Sequence, residues 1–412
     1  ALIAQEKVNW EIPFAVHYLY SYGPMLAALI MTALTKGKSG MVDIFKRLTT
    51  WRMRPVWWLL ALSPLPAYFL IVIVLRLIQG TWVDLSLLGQ VNFLPNLGIG
   101  ALFLWIFTYG IGEEVGWRGY ALPRLQEKMS ALNATLLLGV LWALQLLSGH
   151  TQTVFITGVG LGVYGIIYNL IPDNKNVRAQ HDAPLRMLLS SILGLIFAVL
   201  IAITLALPQL IPTQGLISQS NRGGGLTAQQ ATAFSLDPTM IGRGLLPSYD
   251  GQPFGEYVAY MGIIGLALAI MGMFASDRRK WAWIGLGAVG FGLALGRFNP
   301  LYYSVLAEIP GFNLFRVPAR WLALYALGGA MLIGLGAQTL ITNPLGGRRR
   351  ILALGMFMII CAGLIIGAQF ADRATEPVIG SALPTITTWI GWGLAVVAGI
   401  IIIIGTTYMP SL

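Results

Sequence analysis

Apolar positions in this chain fall into long runs, separated by short segments where the polar residues collect. The runs lie at roughly 13–35, 56–78, 93–112, 131–148, 151–171, 186–212, 257–275, 281–296, 320–342, 351–369 and 385–408. A helix needs about 20 apolar residues to cross a hydrocarbon layer of about 30 Å. Eleven runs therefore predict an all-α polytopic transmembrane bundle of about ten or eleven spans, with the run at 281–296 the shortest. Helices are expected because each satisfies its own backbone groups where no water is available.

The basic residues add a direction. Loops on one side of an alternating topology hold Lys36, Lys38, Lys46, Arg47, Arg52, Arg54, Arg118, Arg124, Lys128, Lys175, Arg178, Arg186, Arg278, Arg279, Lys280 and Arg348 to Arg350. Those eighteen leave eight for the other side: Lys7, Arg76, Arg222, Arg243, Arg297, Arg316, Arg320 and Arg373. Lys and Arg concentrate in cytoplasmic loops. The N-terminus is therefore expected outside and the C-terminus in the cytoplasm.

Composition agrees with the runs. Of 412 residues, 56% are hydrophobic and 10% charged, with a mean hydropathy of +0.73, against about a quarter charged in soluble domains. The net charge of +10 belongs to the loops and does not point to nucleic acid; membrane lipids and other membrane subunits are the expected partners. A lone cysteine, Cys361, excludes an intramolecular disulfide and a thiolate-rich metal site. No metal site and no cofactor can be named. The N-terminus lacks Met and a basic leader, which predicts a processed or truncated chain. Glycine is abundant, 49 residues, mostly within the runs, where small residues let helices approach closely.

Two segments expected outside are long. Residues 213–256 are polar and rich in Gly, Ser, Gln and Pro, and are expected as an outer loop. Residues 297–319 alternate aromatic, apolar and Pro, and are expected along the interface.

The stretch "GIGEEVGWRGYALPRLQ", residues 110–126, ends an apolar run with Glu113 and Glu114. On an α-helix Glu114 and Arg118 share a face, and Glu113 points elsewhere. A carboxylate in a low-dielectric site has a raised pKa and can serve as a general base. The competing reading is an ion pair at a helix end that reaches the interface.

That stretch resembles the EExxxR region of the CAAX-type (CPBP) intramembrane glutamic proteases. "YGPMLAALIMTALTKGKSGMVDIFKRLTTWRM" and "SALNATLLLGVLWAL" extend the resemblance over about residues 10–144. It implies Glu113 as the base that activates water, with Glu114 and Arg118 as partners. The family continues with an aromatic residue, three positions and a histidine. Here Trp142 is followed by Leu146, and no HxxxN or HxxxD comes later. His150 is one turn beyond Leu146, although Ser148-Gly149 is expected to end the helix first. The remaining histidines are His17 and His181. A missing donor costs about a hundredfold to a thousandfold in acyl-transfer rate, so either an endopeptidase or an inactive homologue fits.

From about 146 to 345 the chain resembles YfhO-type bacterial membrane proteins, relatives of the GT-C glycosyltransferases, through "QLLSGHTQTVFITGVGLGVYGIIYNL", "FSLDPTMIGRGLLPSYDG" and "FNLFRVPARWLALYALGG". This implies an outer-face site for lipid-linked sugar. Asp250 and Glu256 flank "YDGQPFGEY", which could bind a cation or polyol. Arg316 and Arg320 in "FRVPARW" could grip a lipid phosphate. Solvated loop acids and an interfacial anchor beside Trp321 are the plainer alternatives. The expected domains are thus 1–145, protease-like and incomplete, and 146–412, YfhO-like with the outer loop 213–256. A natural fusion acting as a pseudoenzyme or scaffold, a diverged enzyme and a composite sequence all fit that order. The leading expectation is a CAAX-protease-like intramembrane protein of the bacterial cytoplasmic membrane. Its alternatives are a GT-C-related glycosyltransferase and a non-catalytic subunit of a larger complex.

Overall fold

The computed structural model describes residues 22–49, 64–80, 100–113, 115, 130–171, 183–219, 225–247, 251–309, 311–342, 344–374, 379–381 and 383–405. The chain is an all-α polytopic membrane protein, and each of the eleven apolar runs contains a helix. In order these are α1 (Gly23–Thr49), α2 (Pro64–Gln79), α3 (Gly100–Trp105) continued by a π-helix (Ile106–Glu113), α4 (Ala131–Leu147), α5 (Thr151–Leu170) and α6 (Ala183–Ser218). After the short α7 (Ala228–Ala231) and α8 (Ile241–Leu245) come α9 (Ile263–Met273), α10 (Lys280–Ala294), the short α11 (Pro300–Ser304), α12 (Leu322–Thr342), α13 (Gly347–Gly367) and α14 (Ile386–Gly405). Five of the described helices are long and apolar enough to cross a membrane: Thr151–Leu170, Leu188–Ser218, Pro318–Thr342, Gly347–Arg373 and Ile386–Gly405. The chain folds as two compact units, residues 1–130 and 131–412.

In the first unit α1 packs against the π-helix. The first span was expected to stop at about residue 35, and Gly23–Thr49 is two helical stretches that meet at a kink at Gly37, whose φ of 57° only glycine adopts at little cost. Beyond the bend Ile44 is buried, while Val42, Phe45 and Leu48 are exposed.

The second unit centres on α12. One face of α12 packs on α9 and another on α10; α5 lies against α10, and α4 against α6. Glycines set the distances. A methyl group at Gly336 would run into the carbonyl of Leu268, and one at Gly272 into the carbonyl of Leu332. On the other face a methyl group at Gly328 would sit 2.6 Å from the carbonyl oxygen of Trp283, and one at Gly290 would sit 2.8 Å from that of Trp321. Lipid tails are as apolar as leucine, so spans associate through such close packing and not through burial from water. Where packing is not needed the helices stay bare: Leu193, Ile196, Phe197 and Leu200 of α6 are exposed, as lipid-facing residues are.

The segment 213–256, expected as a solvated outer loop, is instead largely folded. Helix α6 carries its first part to Ser218. Thr227 and Gln230 form a reciprocal capping box at the start of α7. Asp237 accepts bonds from the Thr239 amide at 3.0 Å and hydroxyl at 2.7 Å, opening a 3-10 turn. Leu236, Met240 and Arg243 are buried, and Gly251–Gln252 pairs antiparallel with Ile379–Gly380. Its polar residues are spent on caps and turns, which a composition profile reads as loop. Residues 297–319 form short turns with Tyr302 and Ala307 buried and Leu301, Tyr303, Val305 and Ile309 exposed.

The basic residues of two loops gather at one end of this unit. Arg278 stacks 4.5 Å over Tyr168 and donates to the carbonyl of Ile171 at 3.3 Å. Lys280 is held below the usual lysine range by burial and then by the nearby Arg349. Asp277 accepts a fork from Arg279, with contacts of 2.6 Å and 2.9 Å to one carboxylate oxygen, and that bond holds its carboxyl below the ordinary 3.8.

Two outcomes follow. Gly336→Ala is expected to cost about 1–3 kcal/mol through overpacking, whereas Gly334→Ala, with open space around its position, leaves the thermal midpoint in detergent near that of the wild type. A carboxyl with a lowered folded-state pKa stabilises fully above its unfolded value and loses that contribution as pH falls through the folded one. Asp277→Asn is therefore expected to unfold at lower denaturant than the wild type at neutral pH, by at most about 1 kcal/mol for so exposed a pair. The gap should close as pH drops below the ordinary 3.8.

Candidate functional site

The acidic stretch is carried by the first unit. Helix α3 passes at Ile106 into eight residues of π-helix that end at Glu113. Buried Thr108 donates its hydroxyl to the carbonyl of Leu104 at 2.7 Å. In a π-helix the backbone hydrogen bond spans five residues and not four. Gly110 and Gly112 weaken α-helix locally, the one hint of this that the sequence carries. Turns of this kind cluster at functional sites. Val115, just beyond, is buried. Glu114 and Arg118 lie outside the described residues.

The second unit shows what replaces the histidine. Helix α4 ends at Leu147, and Gly149 turns the chain with φ 87°, as Ser148-Gly149 led us to expect. Leu146 lines a cavity of about 770 Å³ between α4, α5 and α6, with Trp142, Val154, Phe155 and Val199 among its walls. Almost every wall is apolar. Trp142 is 5% exposed, and its indole N–H has no partner among the described residues. His150 lies beyond the turn, immediately before α5, where its Nδ1 shares a hydrogen bond with the Thr153 hydroxyl. It lines a different cavity, and so is not brought to the position of Leu146.

That other cavity, of about 400 Å³, gathers three residues marked in the sequence: His150, Glu256 and Arg320. Glu256 sits on the 3-10 turn Gly255–Tyr257 and Arg320 on the 3-10 turn Pro318–Trp321. Arg320 donates to Oε1 of Glu256 through Nε at 2.9 Å and Nη2 at 2.8 Å, and through Nη1 to the side-chain oxygen of Gln152 at 2.7 Å. Gln152 in turn donates to the backbone carbonyl of Arg316 at 2.7 Å. The turn that presents Arg320 begins at Val317, which has φ 63°, a strained value for a β-branched residue. It is secured by the bond from the Val317 amide to the carbonyl of Ala233 at 3.1 Å and by the stacked rings of Phe312 and Trp321, 5.7 Å apart.

Arg316 and Arg320 do not act as a pair. Arg316 precedes the turn with an exposed side chain, while Arg320 is committed to Glu256. Asp250 lies outside the described residues. Gln152, 7% exposed, is the member that sequence reasoning missed; its only signal is the polar run "HTQT" at the head of an apolar helix.

Comparison with known proteins bears on the first cavity and the acidic stretch. Residues 95–211 match the model of the Rce1-like family, described as type II CAAX prenyl endopeptidase Rce1-like. The chain is 30% identical over 127 residues to a CAAX prenyl protease 2 from Methanococcus maripaludis, an alignment covering 29% of this chain and 45% of that protein. The chain therefore spans less than half the length of that relative. No solved structure matches. The matched segment runs past Leu146 to residue 211, across the place where the sequence suggested a join, and the comparisons lend the YfhO-type resemblance no support.

Gln152→Ala would leave a guanidinium N–H and the Arg316 carbonyl without their partner. The expected loss is about 1–3 kcal/mol, read as a lower thermal unfolding midpoint in detergent. Gln152→Glu, which keeps an acceptor for Arg320, should recover part of it.

Proposed function

We propose that this chain is a CAAX-protease-like intramembrane protein that receives an apolar chain in the cavity of α4, α5 and α6. The observation that carries this reading is the cavity of about 770 Å³, lined mostly by helices within the matched segment 95–211 and closed on one side by Gly311, Leu314 and Phe315. Such a volume and apolar walls suit a long hydrocarbon group. A prenyl group on a peptide, in keeping with the prenyl endopeptidase of the family description, has that character.

In this reading Glu113 is the general base that activates water, with Glu114 and Arg118 as its partners. A carboxylate supplies the base, but a tetrahedral intermediate also needs a hydrogen-bond donor for its oxyanion. Leu146 offers none. The protein therefore binds its lipidated chain and hydrolyses it slowly.

The test is cleavage of a farnesylated carboxy-terminal peptide by the full chain in lipid nanodiscs. Turnover should lie about a hundredfold or more below that of a histidine-bearing relative assayed beside it. Leu146→His should raise it, and Glu113→Ala should abolish it in either background. Turnover that Glu113→Ala leaves unchanged sinks the proposal. Val199→Trp, which fills the chamber, should weaken binding of the farnesylated peptide and spare that of the unmodified one.

A further inference from the structure

We infer that the second cavity, around Glu256 and Arg320, is a binding site for a phospholipid whose headgroup carries both a phosphate and a primary amine. This inference is independent of the peptidase reading. Two candidate membrane spans, Thr151–Leu170 and Pro318–Thr342, begin beside this cavity. Their heads are tied together by Gln152, which donates to the Arg316 carbonyl and accepts from Arg320. The start of a span lies at headgroup level. From there the wall descends through Ile156, Leu322, Ala323 and Ala326. At 1.5 Å per residue, Ala326 is about 12 Å along the helix from Pro318, a depth that belongs to acyl chains. Ala323 and Ala326 are themselves exposed, so the wall opens sideways, where a lipid could enter. The cavity is polar at its mouth and apolar below.

The charges select the headgroup. Glu256 and Arg320 form one ion pair with side chains 35% and 32% exposed, so the pair is neutral as a unit and disfavours a bare anion. Both bonds from Arg320 end on Oε1 of Glu256, and Oε2 has no hydrogen-bond partner among the described residues. A guanidinium has five N–H groups. Three of those on Arg320 are used, by Glu256 twice and Gln152 once, leaving two. His150 engages Thr153 through Nδ1 and keeps its second ring nitrogen. A zwitterion laid antiparallel to the pair places its ammonium on Oε2 and its phosphate against the free Arg320 N–H groups and His150. A primary ammonium donates hydrogen bonds to a carboxylate. A quaternary trimethylammonium has no N–H to donate. The site therefore distinguishes phosphatidylethanolamine from phosphatidylcholine.

Native mass spectrometry of the delipidated full chain in detergent, titrated with dioleoyl phosphatidylethanolamine, phosphatidylcholine or phosphatidylglycerol, tests this. The wild type should bind phosphatidylethanolamine about fivefold or more tighter than phosphatidylcholine, the effect of one charge-assisted hydrogen bond at a partly exposed site. In Glu256→Gln the two affinities should converge and that for phosphatidylglycerol should rise, because Arg320 is then unpaired. Ala326→Phe leaves the ion pair intact and should weaken all three lipids by filling the wall. Equal wild-type affinities for phosphatidylethanolamine and phosphatidylcholine overturn the inference without recourse to any variant. So does a wild-type preference for phosphatidylglycerol, which would mark a simple anion site. An ethanolamine preference that survives in Glu256→Gln would place recognition elsewhere.

Discussion

The second unit depends on how closely α12 lets its neighbours approach. Inside a bilayer the aqueous driving force for burying side chains is absent, so helices hold together only where their surfaces fit. Gly336 and Gly272 bring α12 and α9 into backbone contact, and Gly328 and Gly290 do the same for α12 and α10. With those crossings fixed, α5 is placed through α10 and α14 through α9. The positions of Gln152 at the head of α5 and Arg320 at the head of α12 follow from that arrangement. A small shift of α12 would part the guanidinium from Glu256.

The two cavities of this unit show opposite uses of the same setting. Between α4, α5 and α6, apolar walls line an open cavity that favours hydrocarbon. At the head of α5 and α12, charge is admitted but matched: Arg320 meets Glu256, Gln152 meets both Arg320 and the chain at Arg316. Ionisable groups near a membrane are expensive unless paired. Here the pairing leaves one carboxylate oxygen and two guanidinium N–H groups for a ligand, which turns a structural ion pair into a recognition device.

The eleven apolar runs located the helices because a hydrocarbon layer imposes length and hydropathy on every span, a constraint that acts residue by residue along the chain. Errors arose where local composition and tertiary role part company. Residues 213–256 read as loop because Thr227, Asp237 and the glycines are turn and cap formers; that such turns fold against Leu236 and Met240 in the core is a long-range fact. The π-turn before Glu113 was hidden because hydropathy runs measure length and not hydrogen-bond register.

By itself, the sequence determined that this is a helical membrane protein, where its apolar helices fall, that an acidic pair follows the third of them and that a leucine stands where a histidine was expected. Each of these depends on residue identity and local spacing alone. Only the tertiary structure decided that Leu146 opens onto an apolar chamber, that His150 turns to a different cavity, and that Glu256 and Arg320, 64 positions apart, form one pair. Those contacts join residues distant in the chain. The last of them follows from the glycine crossings of α12, whose geometry no local pattern of polar and apolar residues encodes.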